Sequence, residues 1–154
     1  MTENNTAASS LPDAPGFVIA RHYLLDLSVE NPYGRLNDAL VDAVETSDAV
    51  QVEVFPPVES SPAYRVDVTI RLAAQLQGRE FFVSELRHRA EVLLHKVAPD
   101  DAGHILHVQV PEALLPACGE ILSHAARFAG YPGMVLRSLD FDSAYRANLA
   151  SSEA

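Results

Sequence analysis

Tyr64-Arg65-Val66-Asp67-Val68-Thr69-Ile70-Arg71-Leu72-Ala73-Ala74-Gln75-Leu76 decides the fold of this 154-residue chain. Tyr64, Val66, Val68, Ile70, Leu72, Ala74 and Leu76 share one parity, facing Arg65, Asp67, Thr69, Arg71 and Gln75. A period of two with one apolar and one polar side is a strand that packs one face on a core and wets the other. Upstream, Val50, Val52, Val54 and Val58 repeat the period, with Pro56 interrupting, and the polar turn Glu59-Ser60-Ser61-Pro62 joins the two strands antiparallel. Downstream, Gln77-Gly78-Arg79 turns the chain into a further strand from Glu80 to about Leu94. Nearer the amino terminus, Phe17, Ile19, Arg21, Tyr23, Leu25, Leu27 and Val29 alternate with Val18, Ala20, His22, Leu24, Asp26, Ser28 and Glu30. That predicts a first strand, stopped by Asn31-Pro32-Tyr33-Gly34. Residues 35–47 read as a long connection, and the four strands as an antiparallel meander or Greek key.

After Pro99-Asp100-Asp101-Ala102-Gly103 and a short apolar stretch the period changes. Leu115, Cys118, Leu122, Ala125 and Ala129 step by three and four, with Leu114, Ile121 and Phe128 on an adjoining stripe. The spacing predicts an amphipathic helix with a wide apolar face, Pro111 or Pro116 in its first turn and Gly130 at its close. A face that wide is expected to be buried twice, once on its own sheet and once on another subunit, the alternative being that it only fills the domain core. Asp140 or Ser138 caps a shorter helix through Phe141, Tyr145 and Leu149. Strands first and helices last make an α+β domain. Its expected bounds are 16–150, between disordered ends at 1–15 and 151–154, the first rich in Asn, Thr, Ala and Ser.

The formal net charge of −10, from 21 acidic and 11 basic residues, argues against nucleic acid and against anionic lipid, both of which require clustered Lys and Arg. It suits a soluble particle and a cationic partner. Met1 to Pro15 has no basic region followed by an apolar core, and no apolar run approaches the ~20 residues that span a bilayer. The chain is therefore expected in the cytoplasm, with no membrane insertion.

Chemistry is sparse. Cys118 is the single cysteine and falls on the apolar helix stripe, where it reads as a packing residue. His104 and His107 are three apart in a segment that reads as extended, which points them to opposite faces, and His124 lies in the helix. His22, His88 and His95 read as strand-face residues. No metal, cofactor or catalytic constellation is expected, and so no enzyme. Asp26 and Glu30 share one parity of the first strand. With Glu85 on the same sheet face they would form an acidic patch.

Three stretches resemble the SecB family of protein-export chaperones. Tyr23-Leu24-Leu25-Asp26-Leu27-Ser28-Val29-Glu30-Asn31-Pro32 is similar to the signature around its first strand, and Phe81-Phe82-Val83-Ser84-Glu85-Leu86 to its third sheet motif. Leu114-Leu115-Pro116-Ala117-Cys118, Glu120-Ile121-Leu122, Gly130-Tyr131-Pro132, Leu136, Leu139-Asp140-Phe141-Asp142 and Tyr145 follow its helix–loop–helix. Departures are Arg87-His88-Arg89-Ala90-Glu91 in place of a Gly-Gly-aromatic segment, Gly119 in place of Arg, and Tyr33-Gly34-Arg35 after Pro32.

The resemblance implies a four-stranded antiparallel sheet with two C-terminal helices, assembled as a homotetramer, a dimer of dimers. It implies a chaperone that keeps unfolded precursor proteins translocation-competent and delivers them to the SecA ATPase. Asp26, Glu30, Val83 and Glu85 match the surface that docks the basic, zinc-containing tail of SecA. The long helix matches the tetramer interface, through Leu114, Cys118, Ile121, Ala125 and Phe128. Clients are expected in grooves near Tyr33, Leu36, Leu115 and Leu122. The alternatives are a SecB-like chaperone dedicated to one client, such as the antitoxin of a toxin–antitoxin system, or a small ligand-binding α+β domain.

Overall fold

The computed structural model describes residues 13–34, 43–131 and 134–152. Strand β1 is Gly16–Glu30, β2 is Glu45–Phe55, β3 is Tyr64–Leu76 and β4 is Arg79–His95. Helix α1 is Pro99–His104, a π-helical segment covers Ile105–Gln109, α2 is Val110–Phe128 and α3 is Phe141–Ser152. The sheet order is β1-β4-β3-β2 with every pair antiparallel. Strands β2, β3 and β4 form a meander, and β1 returns beside β4, which is a Greek key.

The hairpin between β3 and β4 turns on Gln77 and Gly78, both at positive φ (52° and 73°), the pairing of left-handed residues that matches strand twist in a two-residue loop. On the inner face Val66, Val68, Ile70 and Leu72 of β3 and Phe82 and Leu86 of β4 are fully buried. They pack in one core with Leu114, Cys118, Leu122 and Ala126 of α2. Each large side chain so buried contributes about 1.5–3 kcal/mol, and this layer of sheet on helix is what fixes the fold.

Three bulges break the period of two. In β1 the register with β4 slips between Ile19 and Arg21 and again between Leu24 and Asp26. Phe17 and Ile19, then His22 and Leu24, then Leu27 and Val29 consequently share the inner face, opposite Leu94, Val92, Ala90, His88, Leu86 and Ser84. The unbroken alternation expected from Phe17 to Val29 is corrected accordingly: the two extra residues, Ala20 and Leu25, each flip everything beyond them to the other side. The third bulge leaves Phe81 unpaired between Ala74↔Phe82 and Gln75↔Glu80. Phe81 and Phe82 are thereby both buried, with ring centroids 5.4 and 5.1 Å from that of Tyr131.

The helical region begins earlier than its periodicity suggests. Pro99 starts α1 with Asp100 and Asp101 in the first turn, where a missing N–H and negative charge are both favourable. The segment around His104 and His107 is helical, not extended, and both imidazoles face Tyr145 of α3, His107 stacked at 5.2 Å and His104 edge-on at 6.0 Å. Its π-helical turn immediately precedes Pro111, whose ring and absent N–H disturb the hydrogen bonding of the preceding turn. Pro111 and Pro116 therefore lie inside a longer helical run. Its end is a Schellman motif, with Gly130 at φ 94°, Gly130 N–H donating to Arg127 O (3.1 Å) and Tyr131 N–H to Ala126 O (2.8 Å).

Asp140 caps α3, its Oδ1 accepting from the Ser143 N–H (2.9 Å). This helix runs to Ser152, past the expected domain end at 150. Likewise residues 45–47, expected in a connection, open β2, while β2 ends at Phe55 and Val58 makes only an isolated bridge to Ser61. Of the amino-terminal tail, 1–12 lie outside the described residues. Asp13 is held by Lys96 Nζ at 2.7 Å.

Candidate functional site

The helix-free face of the sheet can be read as rows of residues directly opposite one another, because antiparallel partners point to the same side. One row is Arg21-Glu91-Arg65-Phe55 and the next Tyr23-Arg89-Asp67-Glu53. Then come Asp26-Arg87-Thr69-Gln51, Ser28-Glu85-Arg71-Ala49 and Glu30-Val83-Ala73-Ser47. Asp26, Glu30, Val83 and Glu85, singled out from sequence, are thus brought to one end of one face.

The other end of that face is electrostatically closed. Asp67 is fully buried, and its two oxygens accept from Arg89 Nε (2.6 Å) and Nη2 (2.9 Å) and from Arg87 Nη2 (2.6 Å) and Nε (3.0 Å). Burial pushes the Asp67 carboxyl up, but the hydrogen bonds from Arg89 and Arg87 outweigh it and hold the group below the usual carboxylate range. Glu53 approaches Arg87 at 3.7 Å, and Arg65 and Arg89 both lie over the Phe55 ring. Arg21 bonds Glu91 (2.7 Å), whose carboxyl is held low mainly by that bond. At the acidic end itself Arg71, opposite Glu85, donates from Nη2 to both oxygens of Glu80. Asp26, Glu30 and Glu85 make no ion pair with any described residue, so the free negative charge of the face gathers at their end.

This compensating cluster was not foreseen in the sequence. Its signal was present in the alternating charges of Arg65-x-Asp67 and Arg87-x-Arg89-x-Glu91, but the pairing required the register.

On the opposite side, α2 divides its apolar residues differently from expectation. Leu114, Cys118 and Leu122 sit in the subunit's own core with 0–1% exposure. Their assignment to a subunit interface (Leu114, Cys118) and to client binding (Leu122) is corrected: those side chains are already covered by the sheet. Burial also raises the Cys118 thiol to about 11, which leaves it protonated and unreactive.

Ile121 and Ala125 are half-buried, and Phe128 is 90% exposed. Leu115 lines an open groove of about 310 Å³ with Glu112, Pro116, Gly119, Leu136 and Arg137. Tyr33 is 60% exposed in the turn after β1, and Leu36 lies outside the described residues. Strand β1 is an edge of the sheet, and Leu24, Leu25, Leu27 and Val29 on it are each about 40% exposed. Among the described residues no group of three or more His, Cys, Asp or Glu is placed to hold a metal ion, and no helix is long and apolar enough to cross a membrane.

Surfaces of this kind, a sheet face acidic at one end and uncovered apolar side chains on α2 and β1, are suited to holding other chains. They define a binding protein. Residues 11–152 match the family model described as "Preprotein translocase subunit SecB", and the chain belongs to the SecB family. It is 26% identical to the protein-export protein SecB of Novosphingobium aromaticivorans, over 99% of this chain and 87% of that one. It is 29% identical to that of Neisseria meningitidis serogroup B, over 86% and 89%. To protein-export protein SecB 1 of Gluconobacter oxydans it is 30% identical, over 97% and 94%.

Among solved structures, the fold is similar to a SecB-like chaperone of Mycobacterium tuberculosis in complex with a peptide from the HigA1 antitoxin. The TM-score is 0.68 and the identity 15%, covering 80% of this chain and 91% of that one. The family is one of chaperones, which is not an enzyme class.

Proposed function

We propose that this chaperone binds unfolded precursor proteins in the cytoplasm, keeps them translocation-competent and delivers them to SecA, working as a homotetramer built as a dimer of dimers. The observation that carries the reading is the set of carboxylates Asp26, Glu30 and Glu85 around Val83, without a cationic partner among the described residues, on a face where Glu91, Glu80 and Asp67 are each bonded to arginine. A cationic tail meeting that face finds negative charge that no described arginine has taken.

Assembly is supported by two surfaces. The Ile121, Ala125 and Phe128 side of α2 leaves apolar area uncovered, and the 15-residue strand β1 has no strand partner on its outer edge among the described residues. Client binding follows from size. Ordering an extended segment costs ~1–2 kcal/mol per residue, against ~1.5–3 kcal/mol from burying one large apolar side chain. A long segment laid across several subunits, near Tyr33, Leu36 and Leu115, gathers enough linked contacts to bind. Folded proteins do not offer such a segment.

The test has two arms. At tetramer concentration the protein is expected to slow the refolding of a denatured client; unchanged refolding rules out the holding activity. Asp26→Lys or Glu85→Lys is expected to abolish SecA binding while leaving client holding intact; unaltered SecA binding removes the docking assignment. The similarity to a chaperone solved with an antitoxin peptide favours one other reading, dedication to a single client. A pull-down dominated by one protein would select it.

A further inference from the structure

Asp26 and Arg87 are opposite each other in the β1–β4 ladder on the same face, the arrangement in which an acid and a base on adjacent strands ordinarily pair. Arg87 turns instead towards β3, with Nη2 and Nε 2.6 and 3.0 Å from Asp67 Oδ2 and Glu53 at 3.7 Å beyond. The choice follows from burial. A carboxylate with no solvent access, such as Asp67, is far costlier to leave without donors than the exposed, hydrated Asp26. Arg89, which faces Asp67 directly, supplies one share of those donors, and Arg87 supplies the other.

We infer that Asp67 is a positioning residue for the docking face, holding Arg87 over β3 so that Asp26 stays unneutralised for a cationic partner. The inference rests on the docking reading above and deepens it: a buried residue on a strand that does not carry the patch sets how much of the patch's charge is free. It also gives a role to the Arg87–Glu91 segment, whose arginines stand on the docking face without cancelling its acids.

The test is SecA binding by the full-length protein and three variants. Asp67→Asn removes one carboxylate charge, frees Arg87 to swing onto Asp26, and is expected to weaken SecA binding about five- to tenfold. Asp67→Asn with Arg87→Gln is expected to return affinity to within about twofold of the wild type, a recovery that a merely structural lesion would not show. Failure of that recovery overturns the inference. Arg87→Gln alone, which leaves Asp67 its bonds from Arg89, is expected to leave affinity within about twofold. A several-fold tightening would mean that Arg87 already neutralises Asp26, and would overturn it equally.

A readout independent of SecA separates the two readings. The Arg87 Nε–H resonance is expected to stay in place on Asp26→Asn in the wild-type background and to move on the same change in the Asp67→Asn background. A resonance that does not move there refutes the positioning role even if SecA docks. A resonance that behaves as expected in a protein that never binds SecA retains the positioning role and refutes only the docking reading.

Discussion

Tyr131 and Asn31 tie the end of α2 to the end of β1: the Tyr131 hydroxyl donates to Asn31 Oδ1 at 3.1 Å, across a separation of 100 residues. The hydroxyl's single proton is shared with the Gly34 carbonyl, and Asn31 Nδ2 donates to Ala129 O (2.9 Å), one of the carbonyls left over at the helix end. The turn that stops β1 is thus held to the Schellman motif that stops α2. Tyr131→Phe keeps the ring against Phe81 and Phe82 but strands Asn31. It is expected to cost about 1–2 kcal/mol in urea unfolding. Asn31→Ala is expected to cost a similar amount. The two are expected to be less than additive, because they share one hydrogen bond.

A pH dependence follows from His88, buried on the inner face with Nε2 2.9 Å from His22 Nδ1 and no partner for its own Nδ1 among the described residues. Burial, and secondarily the neighbouring His22, depresses its pKa below the ordinary value near 6.5. The folded state therefore resists a proton that the unfolded chain accepts. The stabilisation is present in full above about pH 6.5 and is lost as pH falls towards the depressed value. Urea midpoints are expected to fall between pH 7.5 and 5.5 and to fall less in His88→Leu. An equal fall in both proteins would assign the effect to other groups.

Gly103 is where α3 meets α1. A Cβ there would lie 2.5 Å from Tyr145 Oη and 3.6 Å from its Cζ. Alanine ordinarily gains about 1 kcal/mol over glycine in a helix, yet Gly103→Ala is expected to destabilise by pushing Tyr145 off the His104–His107 surface. Removing only the offending hydroxyl in Gly103→Ala/Tyr145→Phe leaves an ordinary carbon contact. The double variant is expected to be at least as stable as Tyr145→Phe, by melting temperature. If it is not, the contact is not what requires glycine at this position.

The parity of β3 was legible because its inner residues alternate without interruption from Tyr64 to Leu76. Asp26 and Glu30 were correctly put on one face because both follow the second bulge of β1, so the distance between them is unaffected. The bulges themselves leave no mark in composition. Extending the Leu76↔Arg79 pairing of the turn without the extra residue Phe81 sets Asp67 opposite His88; the observed partner is Arg89, and on that one-residue slip the whole Asp67 cluster depends. The start of the helical region was hidden for a related reason. The π-helical turn at Ile105–Gln109 shifts the phase of the 3.6 repeat, so the apolar stripe could be followed only from Pro111 onward. Which stripe of α2 faces its own sheet is likewise a rotation of the helix that spacing alone does not choose.

That rotation separates two kinds of apolar residue on α2, and a pair of variants distinguishes them. Leu122 is fully buried against the sheet, so Leu122→Ala is expected to cost about 2–5 kcal/mol of subunit stability through the cavity it leaves. Phe128 is 90% exposed in the last turn. In a lone subunit Phe128→Asp removes almost no buried area and should change stability by no more than about 0.5 kcal/mol. In an assembly closed through this side of α2 it places a charge where an aromatic ring was desolvated. Native mass spectrometry is expected to give about four times the 16.7 kDa subunit for the wild type and a lower multiple for Phe128→Asp. A wild-type mass of one subunit would remove both the assembly and the argument that clients bind by spanning several copies. A tetramer unaffected by Phe128→Asp would move the interface to another surface, with the free β1 edge next in line.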